Sequence, residues 1–283
     1  YMKNIFNLFK RKYKIGVAFG GGGAKGMAHI GVIKAFEEFG LNFDYVAGTS
    51  VGSIMGAAYA SGMKADEILK IAKSMKTSDI RTSKVFFVPS KTEGIENMMK
   101  ENFGDINIED LKKPFSAIAV DIKSTKELCI SHGNLAKAVA GSCCVPGIFQ
   151  PVQFGDYLLC DGGLQNNIPA NIPRFFDCDF VIAVDCNSTR TYGTESSKTL
   201  DVISCALRIL MKSNSIKGYL NADLTIASDT KKFRSTKLEG IDEMVDLGYR
   251  NAVDMMPEIM KVFAGKYPKK KKKDFGKDDI LFI

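Results

Sequence analysis

Two short strand-like runs are each followed by a turn with glycines that leads into a helix. The run Ile15–Phe19 is followed by Gly20–Gly26, with the sequence GGGGAKG, and the run Asp44–Ala47 is followed by Gly48–Gly52, with the sequence GTSVG. Strands that alternate with helices favour a parallel sheet, because a parallel connection needs a helical crossover. Several strands are continuously apolar, as in sheets that are buried on both faces. The sequence therefore predicts an α/β fold with a mainly parallel sheet.

The chain has 283 residues, with neither an internal repeat nor a linker that would divide its body. This length is ample for one large core. We predict one domain over residues 15–265, preceded by a basic segment (1–14) and followed by a flexible basic tail (266–283). Residues 64–112 are expected to form part of the lid or rim of any pocket.

The net charge of +7 is concentrated at the two ends of the chain. Residues 1–14 carry five cations and no acid, and the run Lys269–Lys273 adds five more, so the rest has a net charge of −3. A nucleic-acid-binding domain spreads its cations over a folded face, and we therefore expect no nucleic-acid partner. Residues 1–14 also place apolar side chains at helical spacing, which predicts either a membrane-surface helix or an arm that packs on the domain or frays.

Some classes of protein are excluded by what the chain lacks. It contains no run of 18 apolar residues and no apolar block near its start that would indicate a secretory signal. We expect a cytoplasmic protein, with peripheral contact at the inner membrane surface through the basic ends as a hypothesis. The odd number of cysteines without zinc spacing predicts reduced, buried thiols and no metal site. These are Cys129, Cys143, Cys144, Cys160, Cys178, Cys186 and Cys205.

The glycine loop Gly20–Gly26 lies where backbone N–H groups at a helix start bind negative charge. It is not a phosphate-binding P-loop, because Lys25 precedes the last glycine and neither Ser nor Thr follows. A dinucleotide-binding fingerprint would need an acid after the second strand, whereas Asp44 precedes that strand. Two interpretations of the loop remain. It could be an oxyanion hole, whose N–H groups stabilise the charge that develops on an ester carbonyl, or a tight turn with no chemical role.

Gly48–Gly52 matches the pattern G-x-S-x-G, in which Ser50 would be a nucleophile on a sharp strand-to-helix turn. A nucleophilic serine needs a base, and the chain has only two histidines, His29 and His132. Enzymes of the α/β-hydrolase fold place their histidine late in the chain, which disfavours that family here. A triad is possible only in the order Ser50–His132–Asp161.

A carboxylate is the other candidate base. The sequence Asp161-Gly162-Gly163 follows an apolar run and therefore lies at the end of a strand. Burial would raise the pKa of Asp161, and direct contact with Ser50 would place it for proton transfer. The alternative is that Asp-Gly-Gly marks only a turn and that Asp161 has no catalytic role.

With these three motifs in this order, the chain resembles the patatin-like phospholipases, in particular the small bacterial type. The family pattern is a glycine-rich loop, then G-x-S-x-G, then D-G-G or D-G-A, here at Gly21–Gly26, Gly48–Gly52 and Asp161–Gly163. The resemblance covers roughly residues 14–264. It includes three further segments: Ala28–Ala35, Ala140–Val152 and Asn166–Pro169.

The resemblance implies a three-layer α/β/α sandwich and a Ser–Asp dyad that needs no histidine, metal or cofactor. Ser50 would be the nucleophile and Asp161 the general base. The N–H groups of Gly21, Gly22 and Gly23 would form the oxyanion hole, with Lys25 nearby. The motif glycines are Gly26, Gly48, Gly52, Gly162 and Gly163.

The resemblance also implies a lipid acyl hydrolase that works through an acyl-serine intermediate. Phospholipase A, lysophospholipase and carboxylesterase chemistry share this dyad, so the lipid or fatty ester substrate stays open. Cys143 and Cys144 stand where the family often has Ser and Ala, which would reshape the acyl pocket or make it sensitive to redox conditions. Two alternatives are a non-catalytic lipid-binding or regulatory module and a Ser–His–Asp esterase that uses His132.

Overall fold

The computed structural model describes residues 13–75, 90–188, 197–268 and 280–283. The strands are β1 (Ile15–Phe19), β2 (Tyr45–Thr49), β3 (Phe115–Asp121), β4 (Lys126–Ile130), β5 (Val152–Phe154), β6 (Tyr157–Asp161), β7 (Phe180–Asp185), β8 (Leu224–Ala227) and β9 (Ile280–Phe282). The helices are α1 (Met27–Glu38), α2 (Val51–Ser61), α3 (Ala65–Ser74), α4 (Glu93–Phe103), α5 (Leu135–Ser142), α6 (Asn171–Phe175), α7 (Thr199–Ser213), α8 (Ser215–Asn221) and α9 (Ile241–Phe263). Short 3₁₀ turns occur at Gly23–Gly26, Ile108–Asp110 and Gly162–Leu164.

The strands form a single mixed sheet in the order β5-β6-β3-β2-β1-β7-β8, with β4 also paired to β3 and β9 paired to β4. Of the eight strand pairs in the described ranges, five are parallel and three are antiparallel. The antiparallel pairs all involve β3 or β6. The prediction of a mainly parallel sheet is therefore confirmed, with an antiparallel region around β3.

Helices cover both faces of the sheet. Successive strand residues point to opposite faces, and both faces of the strands carry apolar residues that helices bury. Val17 and Phe19 belong to a large core with α1, α2 and α9, whereas Ala18 belongs to a smaller core that includes Ile172 of α6. Large side chains thus point to one face and small ones to the other along β1. Two helical layers around one sheet confirm the predicted α/β/α sandwich.

The middle of β3 positions two chain segments that are distant in sequence. Thr49 of β2 pairs with Ile118, and Asp161 of β6 pairs with Ala119. Because β4 occupies the other edge of β3, β2 and β6 share one edge and meet end to end there. The residue after β2 and the last residue of β6 are thereby brought together at one point.

The end of the chain differs from the prediction. Ile280–Phe282 is not part of a flexible tail but pairs in parallel with β4, and Ile280 is buried. The pairing satisfies backbone groups of an otherwise unpaired edge. The segment 1–14 of the predicted membrane-surface helix lies outside the described ranges except for its last two residues. The run Lys269–Lys273 lies wholly outside them, so both predictions stay open.

Two further expectations can be compared with the structure. All seven cysteines are free and buried, which confirms the prediction of buried thiols. No helix within the described ranges is both long enough and apolar enough to cross a bilayer.

Candidate active site

Ser50 lies on a sharp turn between β2 and α2, as the G-x-S-x-G pattern predicts. Its φ is 54° and its ψ is −129°, a conformation that costs about 1–3 kcal/mol for a residue other than glycine. Hydrogen bonds hold the strained backbone. The Ser50 N–H donates to Oγ of Ser142 at 2.9 Å, and the Ser50 carbonyl accepts from the N–H of Ser53 at 2.7 Å and from its hydroxyl at 2.6 Å.

The glycines around Ser50 are required by close backbone contacts. A Cβ on Gly48 would lie 2.2 Å from the carbonyl oxygen of Gly52, and one on Gly52 would lie 2.1 Å from that of Phe19. Neither backbone atom can move without disturbing a strand or a helix. The other motif glycines are also crowded: a Cβ would lie 2.3 Å from Val51 at Gly26, 2.2 Å from the Ile118 carbonyl at Gly162 and 2.5 Å from Met211 at Gly163.

Asp161 ends β6 and is fully buried. Its Oδ1 accepts the N–H of Gly163 at 2.8 Å, while Oδ2 has no hydrogen-bond partner within the described ranges. Burial raises the pKa of Asp161 to about 6, because water no longer stabilises the charge. The Gly163 N–H and the nearby Ser50 hydroxyl partly oppose this rise in pKa. The hydroxyl is thus close enough to favour the carboxylate, although its geometry falls short of a full hydrogen bond.

Neither histidine takes part in this arrangement. His132 lies in a shallow groove with Phe282, and its Nδ1 contacts the Ser131 hydroxyl at 2.9 Å. That groove shares no lining residue with the cavity at Ser50, so the order Ser50–His132–Asp161 has no support in the structure. His29 is fully buried, and burial lowers its pKa to about 4.

The glycine loop offers fewer oxyanion donors than predicted. The Gly21 N–H donates to the Asn167 carbonyl at 2.9 Å, so Gly21 is removed from the predicted set. The N–H groups of Gly22 and Gly23 donate to no acceptor in the part of the chain that the structure describes. Gly23 has a φ of 58°, which favours glycine. The candidate donors are therefore Gly22 and Gly23.

Lys25 is part of the glycine loop, but its ammonium group binds a residue outside that loop. Lys25 is buried, and its Nζ donates to Oδ1 of Asn187 at 2.9 Å, in the loop after β7. Burial lowers the pKa of Lys25, while nearby Cys186 and Asp185 raise it. No hydrogen bond between Lys25 and Ser50 is present among the described residues. A direct contribution of its charge to an oxyanion hole stays a prediction.

Two positioning residues were not found from the sequence. Ser142 Oγ accepts the Ser50 N–H and donates to the Ile118 carbonyl at 2.6 Å, which ties the strained turn to β3. Asn167 binds Gly21 through its carbonyl and the Ser215 hydroxyl through its side chain. Both residues fall within segments that resemble the family, but neither segment indicated these roles.

Ser50 opens onto a cavity of about 250 Å³. The walls come mainly from apolar side chains of α2, α3 and α4, including Ile54, Met55, Ile68, Ile95 and Met98. The described part of residues 64–112, which is 64–75 and 90–112, therefore contributes to the pocket, as expected. Such a cavity can hold a hydrocarbon chain, because apolar walls favour apolar ligands.

Cys143 lines the same cavity, with its sulfur 3.9 Å from the Ser53 hydroxyl. Burial raises the pKa of the Cys143 thiol well above its usual range. A thiol that stays protonated is a poor nucleophile. Cys143 therefore shapes the wall beside Ser50 and does not compete with it.

Comparison with known proteins identifies the family. The family described as patatin-like phospholipase matches residues 17–174, which is more than half of the chain. The chain belongs to this family. An uncharacterized NTE family protein of Mycobacterium tuberculosis is 34% identical over 178 residues, which cover 62% of this chain and 30% of that protein. Mouse patatin-like phospholipase domain-containing protein 6 is 30% identical over 278 residues, which cover 83% of this chain and 20% of that protein. The chain thus spans less than a third of these relatives.

Two solved structures share the patatin-like fold at low sequence identity. VipD from Legionella pneumophila has a TM-score of 0.51 and 15% identity, over 87% of this chain and 67% of that one. Human GIVD cytosolic phospholipase A2 has a TM-score of 0.51 and 10% identity, over 94% of this chain and 62% of that one. These similarities agree with the α/β/α architecture.

Proposed function

We propose that this member of the patatin-like phospholipase family is a lipid acyl hydrolase with Ser50 and Asp161 as its catalytic dyad. One observation carries the proposal: a strained serine at an apolar cavity faces a buried carboxylate whose Oδ2 has no hydrogen-bond partner in the described ranges. A carboxylate with a raised pKa and a free oxygen is suited to accept a proton.

The reaction begins when Ser50 Oγ attacks the carbonyl carbon of a fatty ester and its proton passes to Oδ2 of Asp161. The negative charge that develops on the carbonyl oxygen is stabilised by the N–H groups of Gly22 and Gly23. The intermediate collapses as the C–O bond to the alcohol breaks, and Asp161 returns the proton to the departing oxygen. An acyl-serine remains.

Water then attacks the acyl-serine in the same site. Asp161 takes a proton from the water, the Gly22 and Gly23 N–H groups again stabilise the oxyanion, and the C–O bond to Ser50 breaks. The fatty acid leaves and Ser50 recovers its proton. Both steps use the same groups, so no histidine is needed.

The substrate is inferred to carry a long acyl chain, because the cavity beside Ser50 is almost wholly apolar. The human phospholipase A2 of the same fold was crystallised with methyl gamma-linolenyl fluorophosphonate, an inhibitor with a fatty chain. Its electrophilic phosphorus can react with a nucleophilic serine by loss of fluoride. Phospholipase A, lysophospholipase and carboxylesterase activities all remain compatible with this site.

The test compares hydrolysis of p-nitrophenyl butyrate, octanoate and dodecanoate by the unmodified protein and its variants. We expect Ser50→Ala and Asp161→Asn each to lower kcat at least about 10³-fold. Ser61→Ala, a matched serine substitution at the far end of α2, and His132→Gln should leave kcat unchanged. Activity retained in Ser50→Ala would refute the dyad, and a collapse in His132→Gln would favour the triad.

A fluorophosphonate with a fatty chain gives an independent readout. Mass spectrometry should locate the phosphonyl group on the peptide that contains Ser50, and no adduct should form in Ser50→Ala. Binding of the acyl chain without any turnover or adduct in the unmodified protein would instead indicate a lipid-binding module.

A further inference from the structure

The helices α7 and α8 present aliphatic side chains to solvent. Within the described ranges, eight large apolar side chains are more than 40% exposed, and six of them lie on these two helices, at 47–58% exposure. They are Val202, Ile203, Ile209, Leu210, Ile216 and Leu220. On α7, Val202 and Ile203 stand seven residues before Ile209 and Leu210, and on α8 Ile216 and Leu220 stand four residues apart, so each helix has its exposed apolar residues on one face. We call these six residues the stripe. A cluster of this kind on a protein surface marks an interaction site.

The inward side of this helix pair is mixed in character, because Cys205 and Met211 lie there together with polar side chains. The inward face makes the polar contacts: Lys212 Nζ donates to the Asn187 carbonyl at 2.6 Å, Lys217 pairs with buried Glu127 at 2.7 Å, and Asn214 donates to the Leu164 carbonyl at 2.6 Å. A surface helix normally turns its apolar side inward. The outward stripe is therefore not needed for packing.

The stripe lies at the same end of the sheet as the candidate dyad. Met211 of α7 packs against Gly163, two residues after Asp161, and Asn214 binds the turn at Gly163 and Leu164. The loop between β8 and α9 begins near the inner side of α7, because Ser188 donates to the Ser228 carbonyl at 2.9 Å and the adjacent Asn187 carbonyl accepts from Lys212 Nζ at 2.6 Å. That loop also contributes Ser235, Thr236 and Leu238 to the cavity wall.

The stretch of chain that carries the stripe has an excess of cations, although two of them, Lys212 and Lys217, face inward. Residues 197–238 contain eight cationic and three acidic side chains, whereas the body of the chain outside this stretch has a net charge of −8. Arg208 and Arg234 have no carboxylate partner in the part of the chain that the structure describes. Lys231 and Lys232 form exposed ion pairs with Asp229 and Glu243, which are weak in water and can exchange for other anions.

We propose that the exposed stripe of α7 and α8, with the cations of loop 231–237, docks the protein on an anionic lipid bilayer. The proposal deepens the proposed function and rests on it for the position of the cavity beside the docked face. The exposed residues are purely aliphatic, whereas protein interfaces are enriched in aromatic residues, Met and Arg. Aliphatic side chains with a cationic rim fit the boundary between acyl chains and anionic headgroups.

Vesicle binding can be measured apart from catalysis by placing every variant in the Ser50→Ala protein. Co-sedimentation uses vesicles of phosphatidylcholine and phosphatidylglycerol at equal amounts, and pure phosphatidylcholine vesicles for comparison. We expect the double substitution Ile209→Ser/Leu210→Ser to weaken binding at least about tenfold, because two buried aliphatic side chains are lost from the lipid contact. Arg234→Gln should weaken binding only to vesicles that contain phosphatidylglycerol.

The matched control is Ile122→Ser, which removes an aliphatic side chain of 45% exposure outside the stripe and should leave binding unchanged. Urea midpoints for all variants establish that each is folded. Equal binding by the double variant, or no binding by the parent protein, would overturn the proposal. So would a dimer in sedimentation velocity that the double substitution converts to a monomer, since the stripe would then be a subunit interface. Lost binding without esterase activity in the unmodified protein would refute the dyad and leave the docking surface standing.

Discussion

Asp161→Asn should make the protein more stable while abolishing its proposed activity. Burial raises the pKa of Asp161 from 3.8 to about 6 in the folded state. Each pKa unit corresponds to 1.36 kcal/mol. Relative to the unfolded state, the folded state therefore favours the protonated carboxyl over the carboxylate by about 3 kcal/mol. The contribution of this preference to the free energy of unfolding is fully present below pH 3.8 and is lost as the pH rises through about 6. At pH 8 the native protein therefore holds a costly buried charge.

Asparagine keeps the shape of the side chain but carries no charge. Its Oδ1 can still accept the Gly163 N–H, which donates to Asp161 Oδ1 at 2.8 Å. The free energy of unfolding at pH 8 should rise by up to about 3 kcal/mol, less whatever the new amide N–H groups lose by burial. At pH 4 the carboxyl is largely protonated in the folded state, so the difference between the two proteins should be small.

The assay is urea unfolding of the unmodified protein and Asp161→Asn at pH 4, 6 and 8. Asp156→Asn, which removes an exposed carboxylate from the turn between β5 and β6, is the matched control for loss of one negative charge. The reasoning from burial would be refuted if Asp161→Asn raised the free energy of unfolding at pH 8 no more than the control does. It would also be refuted if the increase were equally large at pH 4.

Three further outcomes follow from the site. If ionised Asp161 is the base, kcat/KM for p-nitrophenyl butyrate should rise with pH and level off above the pKa of about 6; a flat profile between pH 5 and 8 would contradict this role. Gly52→Ala should lower the free energy of unfolding by about 1–3 kcal/mol in urea titrations, because its Cβ would lie 2.1 Å from the Phe19 carbonyl. Met98→Trp should narrow the cavity, so that dodecanoate hydrolysis falls at least tenfold more than butyrate hydrolysis in paired kinetic assays; equal losses would place the acyl chain elsewhere.

The turn at Ser50 could be predicted from the sequence because its requirements are local. A strand, a residue with positive φ and a helix succeed one another within a few residues, and the two motif glycines relieve contacts that arise inside this turn and against β1. Such requirements leave a short pattern in the chain. The proximity of Asp161 is not local, since it depends on the register of β2 and β6 along β3. Only the resemblance to a family indicated it.

Features that depend on tertiary contacts escaped prediction. The pattern of glycines did not reveal that the Gly21 N–H is taken by the Asn167 carbonyl, because that bond joins distant segments. Strand β9 is only three residues long. This is too short to show the alternation of apolar and polar residues that predicts a strand, and the preceding lysine run indicated a flexible tail instead. Periodicity alone does not tell which face of a helix is buried, so the outward apolar side chains of α7 could not be predicted from the sequence.

The candidate site concentrates two destabilising features at one junction of the sheet. Ser50 holds a backbone conformation that glycine would adopt at lower cost, and Asp161 holds a charge that an amide would avoid. Neither feature improves packing, since the close contacts at this junction involve glycines and the hydroxyl of Ser142. The surrounding bonds fix both groups in place and leave the Asp161 Oδ2 without a partner in the described ranges. These two features support the proposal that Ser50 passes its proton to Asp161, because backbone strain and a perturbed buried carboxylate are typical of functional sites.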